Sequence, residues 1–231
     1  MITTIIPVGP NPRHQQFLKE AVQSVINQTE QGPILLIDDM ADLHAEDWPY
    51  IPIWRSPWRL GPASAWNIGV SLADTEYCLL MGSDDWLEPT CLEESEKAIN
   101  KTHDPLGYYS LTVRYHNPEG IAAPGAAPHG TIQDLPCNAA IVSKQLWRQT
   151  GGFSPEMGLG SMDAALISIL LAHDGEAGRI RNVAKGVPLY NVRVHDGQEG
   201  RTYAPYYGAI IAVRNALTIL WQRPHWGRYE S

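Results

Sequence analysis

Two stretches decide how this chain folds: Ile34–Asp39, ILLIDD, and Tyr77–Asp85, YCLLMGSDD. Each is an unbroken apolar run that ends in adjacent aspartates. A short apolar run closed by polar turn residues reads as a strand buried on both faces, the kind found in parallel sheets. Outward from them the pattern repeats. Thr3–Val8 (TTIIPV) is a strand ended by Gly9-Pro10-Asn11-Pro12, and Ile51–Trp54 is a weaker strand. Gln15–Gln28 spaces Phe17, Leu18, Ala21, Val22, Val25 and Ile26 as one face of a helix. Pro62–Ala73 and Pro89–Asn100 also read as helices, the former with proline in its first turn. Strands alternating with helices of this length predict βαβ units, an α/β fold with a mostly parallel central sheet flanked by helices. Ligands of such sheets bind beyond the carboxyl ends of the strands, where both aspartate pairs fall.

The second half is less regular. Gly107–Tyr115 alternates as a strand, residues 116–136 read as a long loop, and Asn138–Val142 is a short strand. Lys144–Thr150 starts a helix or turn closed by Gly151-Gly152, Asp163–His173 is an apolar helix and Val187–Val194 a strand. Tyr206–Gln222 is a final apolar helix, which can pack on the sheet, form a homodimer face or lie on a membrane surface. The organisation expected is two halves, residues 1–100 and 101–200, and a helical tail over 201–231.

Composition narrows the class. The chain has 231 residues, 44% hydrophobic and 18% charged, and its eight Trp and ten Tyr exclude a disordered polymer. Cys78, Cys91 and Cys137 are odd in number and form no C-x-x-C pair, which excludes a disulfide framework and suits a reducing compartment. MITTIIPVGP lacks the basic and apolar regions of a signal peptide, and the longest apolar run, Ala164–Ala172, is too short to span a bilayer. A cytoplasmic protein is expected, at most peripheral at the inner face of a membrane. The net charge of −8 is wrong for a general nucleic-acid binder, although residues 179–231 carry eight Lys/Arg against three acids.

Adjacent carboxylates after a buried strand suit a hard divalent cation or a ribose, since carboxylate oxygens are preferred ligands of Mg2+ and Mn2+. They equally suit Asx-turns and helix caps, and the residue pattern alone leaves both uses open. The wider chain resembles the inverting GT-A glycosyltransferases of family 2. TTIIPVGPN, FLKEAVQSVINQT and ILLIDDMAD are similar to that family's opening strand, helix and nucleotide-binding acids. GPASAWNIGVSLADTEYCLLMGSDDWLEP resembles its helix, strand and metal turn; KQLWRQTGGFSPEMGLGSMDAAL its acceptor-side segment; and PLYNVRVH its late strand ending in histidine.

The resemblance implies a Rossmann-like GT-A sheet, residues 1–100 as the nucleotide-sugar donor-binding half and 101–200 as the acceptor-binding and catalytic half of the same domain, and a role for each matching position. Asp38 and Asp39 would hold base and ribose, with Pro7, Val8 and Gly9 against the base. Arg59, Gly61, Asn67 and Ser83 would complete the donor site. Asp84 would contact ribose or metal, Asp85 would bind the Mn2+ or Mg2+ that bridges the diphosphate, and His195 would complete the metal shell. Asp163 would be the general base. Three positions depart from the family pattern: Gly82 stands where an acid is usual, Trp66 where an arginine is common, and Met162 where an acid precedes the catalytic one. Arg59 could supply the phosphate contact that Trp66 lacks. The implied reaction is metal-dependent, inverting transfer from a nucleotide-diphosphate donor, a UDP-sugar, to an acceptor hydroxyl of a glycan or lipid-linked saccharide. A hydroxymethylated base in DNA is an alternative acceptor, suited to the basic C-terminal stretch. An inactive sugar-binding module is a further reading, and a nucleotidyltransferase ranks below both because Gly9–Arg13 is a poor phosphate loop.

Overall fold

A computed structural model describes residues 1–122, 127–134, 139–153 and 180–196. Strand β1 (Ile2–Val8) is buried along nearly its whole length and lies in the interior of a seven-stranded sheet. It pairs in parallel with β2 (Ile34–Asp38) and β4 (Tyr77–Leu80), and β2 pairs in parallel with β3 (Ile53–Arg55). Beyond β4 the sheet turns mixed. Strand β9 (Ala140–Ser143) runs antiparallel to β4 and to β6 (Tyr108–Ser110), and β10 (Ile180–Asn182) joins β6 in parallel at the edge. The mostly parallel sheet read from the sequence is therefore present, and strands from both halves of the chain share it.

Alternation along β1 sends its side chains to two cores. Ile6 packs with Leu36, Leu79 and Ile141 on one face, under α1 (Pro12–Ile26) and α3 (Cys91–Thr102). Ile5 packs with Ile37, Leu80 and Val142 on the other, under α2 (Pro62–Leu72) and α4 (Lys144–Thr150). Side-chain caps start α1 and α4. The Asn11 side chain accepts from the Arg13 amide at 3.0 Å ahead of Pro12, and the Ser143 hydroxyl accepts from Leu146 at 3.0 Å. Helix α2 can lie close on β1 because Gly69 has no side chain; a Cβ there would sit 2.2 Å from Ile5 Cγ2.

The stretch Gly107–Tyr115 departs from the single strand expected. It divides at Leu111-Thr112 into β6 and β7 (Val113–His116), which belong to different sheets. Leu111 donates to Ala139 on one side, while the Thr112 carbonyl accepts from Leu189 and Tyr190 on the other. The second sheet has four strands, in the order β5 (Trp86–Leu87), β11 (Tyr190–Arg193), β7 and β8 (Ile132–Gln133). Strand β8 lies within the segment read as loop. Asn117 organises that segment's described residues: its amide donates to Ile121 and Ala127 carbonyls at 2.9 and 3.2 Å and accepts from the Ile121 N–H at 2.8 Å. The expected helices at Asp163–His173 and Tyr206–Gln222 lie outside the described residues.

Candidate active site

The ends of β1, β2 and β4 bring both aspartate pairs to the carboxyl edge of the main sheet, the edge where α/β ligands bind. The two pairs do different work there.

Asp38 and Asp39 shape loops. Asp38 Oδ1 accepts from the Ala41 and Asp42 amides at 2.7 and 3.2 Å, and Oδ2 accepts from Leu43 at 3.0 Å and from Arg55 Nη1 at 3.3 Å. Asp39 does the same for the next loop. Its Oδ1 accepts from the Leu60 amide at 2.5 Å; its Oδ2 accepts from the Gly61 amide at 2.9 Å and from the Arg59 guanidinium. The two residues are 3% and 1% exposed, so their carboxylates serve the chain rather than facing solvent. The guanidinium of Arg59 lies across Gly9, where a Cβ would come within 3.0 Å of Nη1. Gly9, Asp39, Arg59 and Gly61 thus meet in one corner beside Pro7 and Val8. Asn67 stands apart from it: its side chain donates to the Phe153 carbonyl at 2.8 Å and accepts from the Phe153 N–H at 3.0 Å, tying α2 to the turn after α4.

The second pair divides its labour. Asp84 Oδ2 lies 2.9 Å from His195 Nε2, across 111 residues of sequence, and both side chains are largely buried. Asp85 points inward instead. Its Oδ2 accepts from the Tyr190 hydroxyl at 2.8 Å and its Oδ1 from the Arg193 N–H at 2.9 Å, while the Tyr190 oxygen accepts from the Gly82 N–H at 2.9 Å. Burial pushes the Asp85 carboxyl well above the usual carboxylate range, the neighbouring Asp84 charge adds to this, and the Arg193 and Tyr190 hydrogen bonds oppose it. The Tyr190 phenol is raised too, by burial first and then by the Asp85 charge. Ser83 is buried within the same turn.

Gly82, the departure noted in the sequence, has a physical reason in this turn. A Cβ at 82 would stand 2.8 Å from Asp84 Oδ1 and 2.8 Å from Asp85 Oδ2, so both carboxylates fold back over this position and would have to shift to admit a side chain there. Tyr190 and Arg193 carried no role in the sequence reading. Strand parity in YNVRVH places Arg193 on the same side as His195 and is the signal that finds it. Asp163 and Met162 lie outside the described residues.

A divalent cation fits this turn. One carboxylate and one imidazole converge on buried ground at Asp84 and His195, an oxygen–nitrogen set that Mn2+ accepts and that leaves further positions for phosphate oxygens and water. Among the described residues no cluster of three or more His, Cys, Asp or Glu offers an alternative cage.

The family model for glycosyl transferase family 2 matches residues 4–120, just over half of the sequence, and the chain belongs to that family. No curated protein matches the sequence. Among solved structures, S. aureus TarS 1–349 in complex with UDP-GlcNAc superposes with a TM-score of 0.73 at 13% identity, covering 94% of this chain and 66% of that one. The mannosyltransferase PcManGT from Pyrobaculum calidifontis, in complex with GDP-Man and Mn2+, gives 0.61 at 16% identity, covering 92% and 64%. This chain spans less than two thirds of the length of either. At these identities the likeness establishes the fold, which is GT-A. Among the described residues no helix is long and apolar enough to cross a membrane.

Proposed function

We propose that this chain is an inverting glycosyltransferase that moves a sugar from a UDP-sugar to an acceptor hydroxyl of a glycan or lipid-linked saccharide. The convergence of Asp84 and His195 at the carboxyl edge of β4 carries the reading. In this reading the pair binds a cation beside the diphosphate of a donor laid across the β1 and β4 ends. Family membership and the nucleotide-sugar complexes of TarS and PcManGT support the donor class.

In this reading Asp84 and His195 hold Mn2+ or Mg2+, and Asp85 braces the turn from behind. A bound divalent cation neutralises charge that develops on the leaving diphosphate. The corner formed by Pro7–Gly9, Asp39, Arg59 and Gly61 receives the nucleoside, with Asp38 and Asp39 acting through the loops they shape. Asp163, by family likeness, takes the proton of the acceptor hydroxyl as it attacks opposite the leaving group.

Calorimetric titration of UDP and GDP, with and without Mn2+, tests the donor site on the wild type and on Asp84→Asn. The expected result is Mn2+-dependent UDP binding that is lost in the variant. Absence of metal-dependent binding of either nucleotide would overturn the assignment. Binding without transfer to any glycan, lipid-linked or DNA acceptor would favour a sugar-nucleotide-binding module.

A further inference from the structure

We propose that Arg193 is a positioning residue for the cation pair, holding Asp84 against His195 through its Nε–H. The inference rests on the donor-site reading above and extends it to a side chain outside the ligand set.

Arg193 fastens three elements at once. Its Nε donates to the Asp84 carbonyl at 3.0 Å, and its own N–H holds Asp85. Its guanidinium carbon lies 4.3 Å from the ring centre of Phe17 on α1 and 4.6 Å from that of Trp86 on β5. Nη2 pairs with Glu20 Oε2 at 2.7 Å. The Phe17 ring also lies 5.3 Å from the His195 imidazole, so one aromatic side chain supports both the arginine and the histidine two residues beyond it. Pulling on the Asp84 carbonyl fixes the peptide plane between Asp84 and Asp85. The direction in which the Asp84 side chain leaves the turn, toward His195, depends on that plane.

The chemistry of this contact separates positioning from plain stability. Lysine at 193 keeps a cation for the aromatic rings and Glu20 but has a methylene where Nε stood. Glutamine loses the charge but places its amide nitrogen at the same number of bonds from the backbone as Nε, and so restores an N–H donor to the Asp84 carbonyl. The Asp85 contact comes from the main chain and survives either change.

The test is Mn2+ titration of the intact protein with UDP present, read by the electron paramagnetic resonance of free Mn2+ and by calorimetry, with melting curves to show that each variant is folded. Removing a group that orients a ligand costs about 10- to 100-fold in metal affinity, and Arg193→Lys should weaken Mn2+ binding by at least the lower figure. Arg193→Gln should bind Mn2+ close to wild type despite its missing charge. Equal weakening in the two variants, no weakening in Lys, or tighter binding by Lys than by Gln would overturn the proposal while leaving the donor site standing. A wild type that binds no Mn2+ with UDP would overturn both.

Discussion

Tyr190→Phe isolates the brace behind the Asp84-Asp85 turn. The hydroxyl it removes is fully buried and is the bridge between the Gly82 N–H and Asp85 Oδ2. Phenylalanine fills the same volume, so no cavity forms and the loss is confined to two polar partners. A buried group left without its partner costs about 1–3 kcal/mol, so the pair sums to roughly 2–6 kcal/mol. For a domain of this size that lowers the melting temperature by about 4–24 °C. The pH dependence has a definite sign. The Asp85 carboxyl titrates higher in the folded protein than in the unfolded chain, so the native state binds its proton more readily. Its contribution to stability is therefore greatest at acid pH and is lost as the pH rises from the unfolded carboxylate value through the raised folded one. Removing the Tyr190 hydrogen bond raises the folded value further and deepens that loss. Urea unfolding of wild type and variant across about pH 5 to 8 should show the gap between them widening toward the alkaline end. A deficit below about 1 kcal/mol at neutral pH, or a gap that narrows as pH rises, would refute the brace.

Asn67→Ala should destabilise the fold by about 1–3 kcal/mol through the lost pair of Phe153 hydrogen bonds, yet leave UDP affinity near wild type, as calorimetry beside melting curves would show. Gly152→Ala places a Cβ 2.4 Å from both Asn67 Oδ1 and Trp147 Nε1 at a residue with φ of +72°, and should cost roughly 2–5 kcal/mol in urea unfolding. Asp38→Ala should strip three backbone amides and Arg55 of their acceptor, lowering stability by several kcal/mol and making the 40–44 loop susceptible to limited proteolysis. Gly82→Asp, the substitution that restores the acid usual in the family, should weaken Mn2+ binding, because its Cβ displaces the carboxylates it would be meant to assist.

The parallel core was legible because its strands are buried on both faces and therefore read as apolar runs with acids at their ends; ILLIDD and YCLLMGSDD needed no partner to be recognised. The second sheet was not. Trp86–Leu87 and Ile132–Gln133 are two residues long and are strands only because β11 and β7 lie beside them, information that no local window contains. The division of Gly107–Tyr115 has the same origin, since Leu111 and Thr112 are pulled to different sheets by Ala139 and by Leu189 and Tyr190. At the proposed site, the sequence singles out Asp84, Asp85 and His195 but does not tell which carboxylate faces the histidine. That is decided by the Tyr190 hydroxyl, which approaches from more than a hundred residues away.

The two aspartate pairs explain each other when their surroundings are compared. Asp38 and Asp39 sit where the chain must turn twice beside the end of β1, and each spends its oxygens on amides of a following loop, as free backbone donors near a buried strand end require. Asp84 and Asp85 sit on one tight turn, where two carboxylates side by side repel each other. The two are given different partners: Asp85 is buried against a phenol and a main-chain amide, and Asp84 is turned to an imidazole. Asp84, the less buried of the two, is the carboxylate that the proposed cation site uses. A third acid at position 82 would crowd this arrangement, so its absence is consistent with a turn that binds its cation through one carboxylate and one histidine.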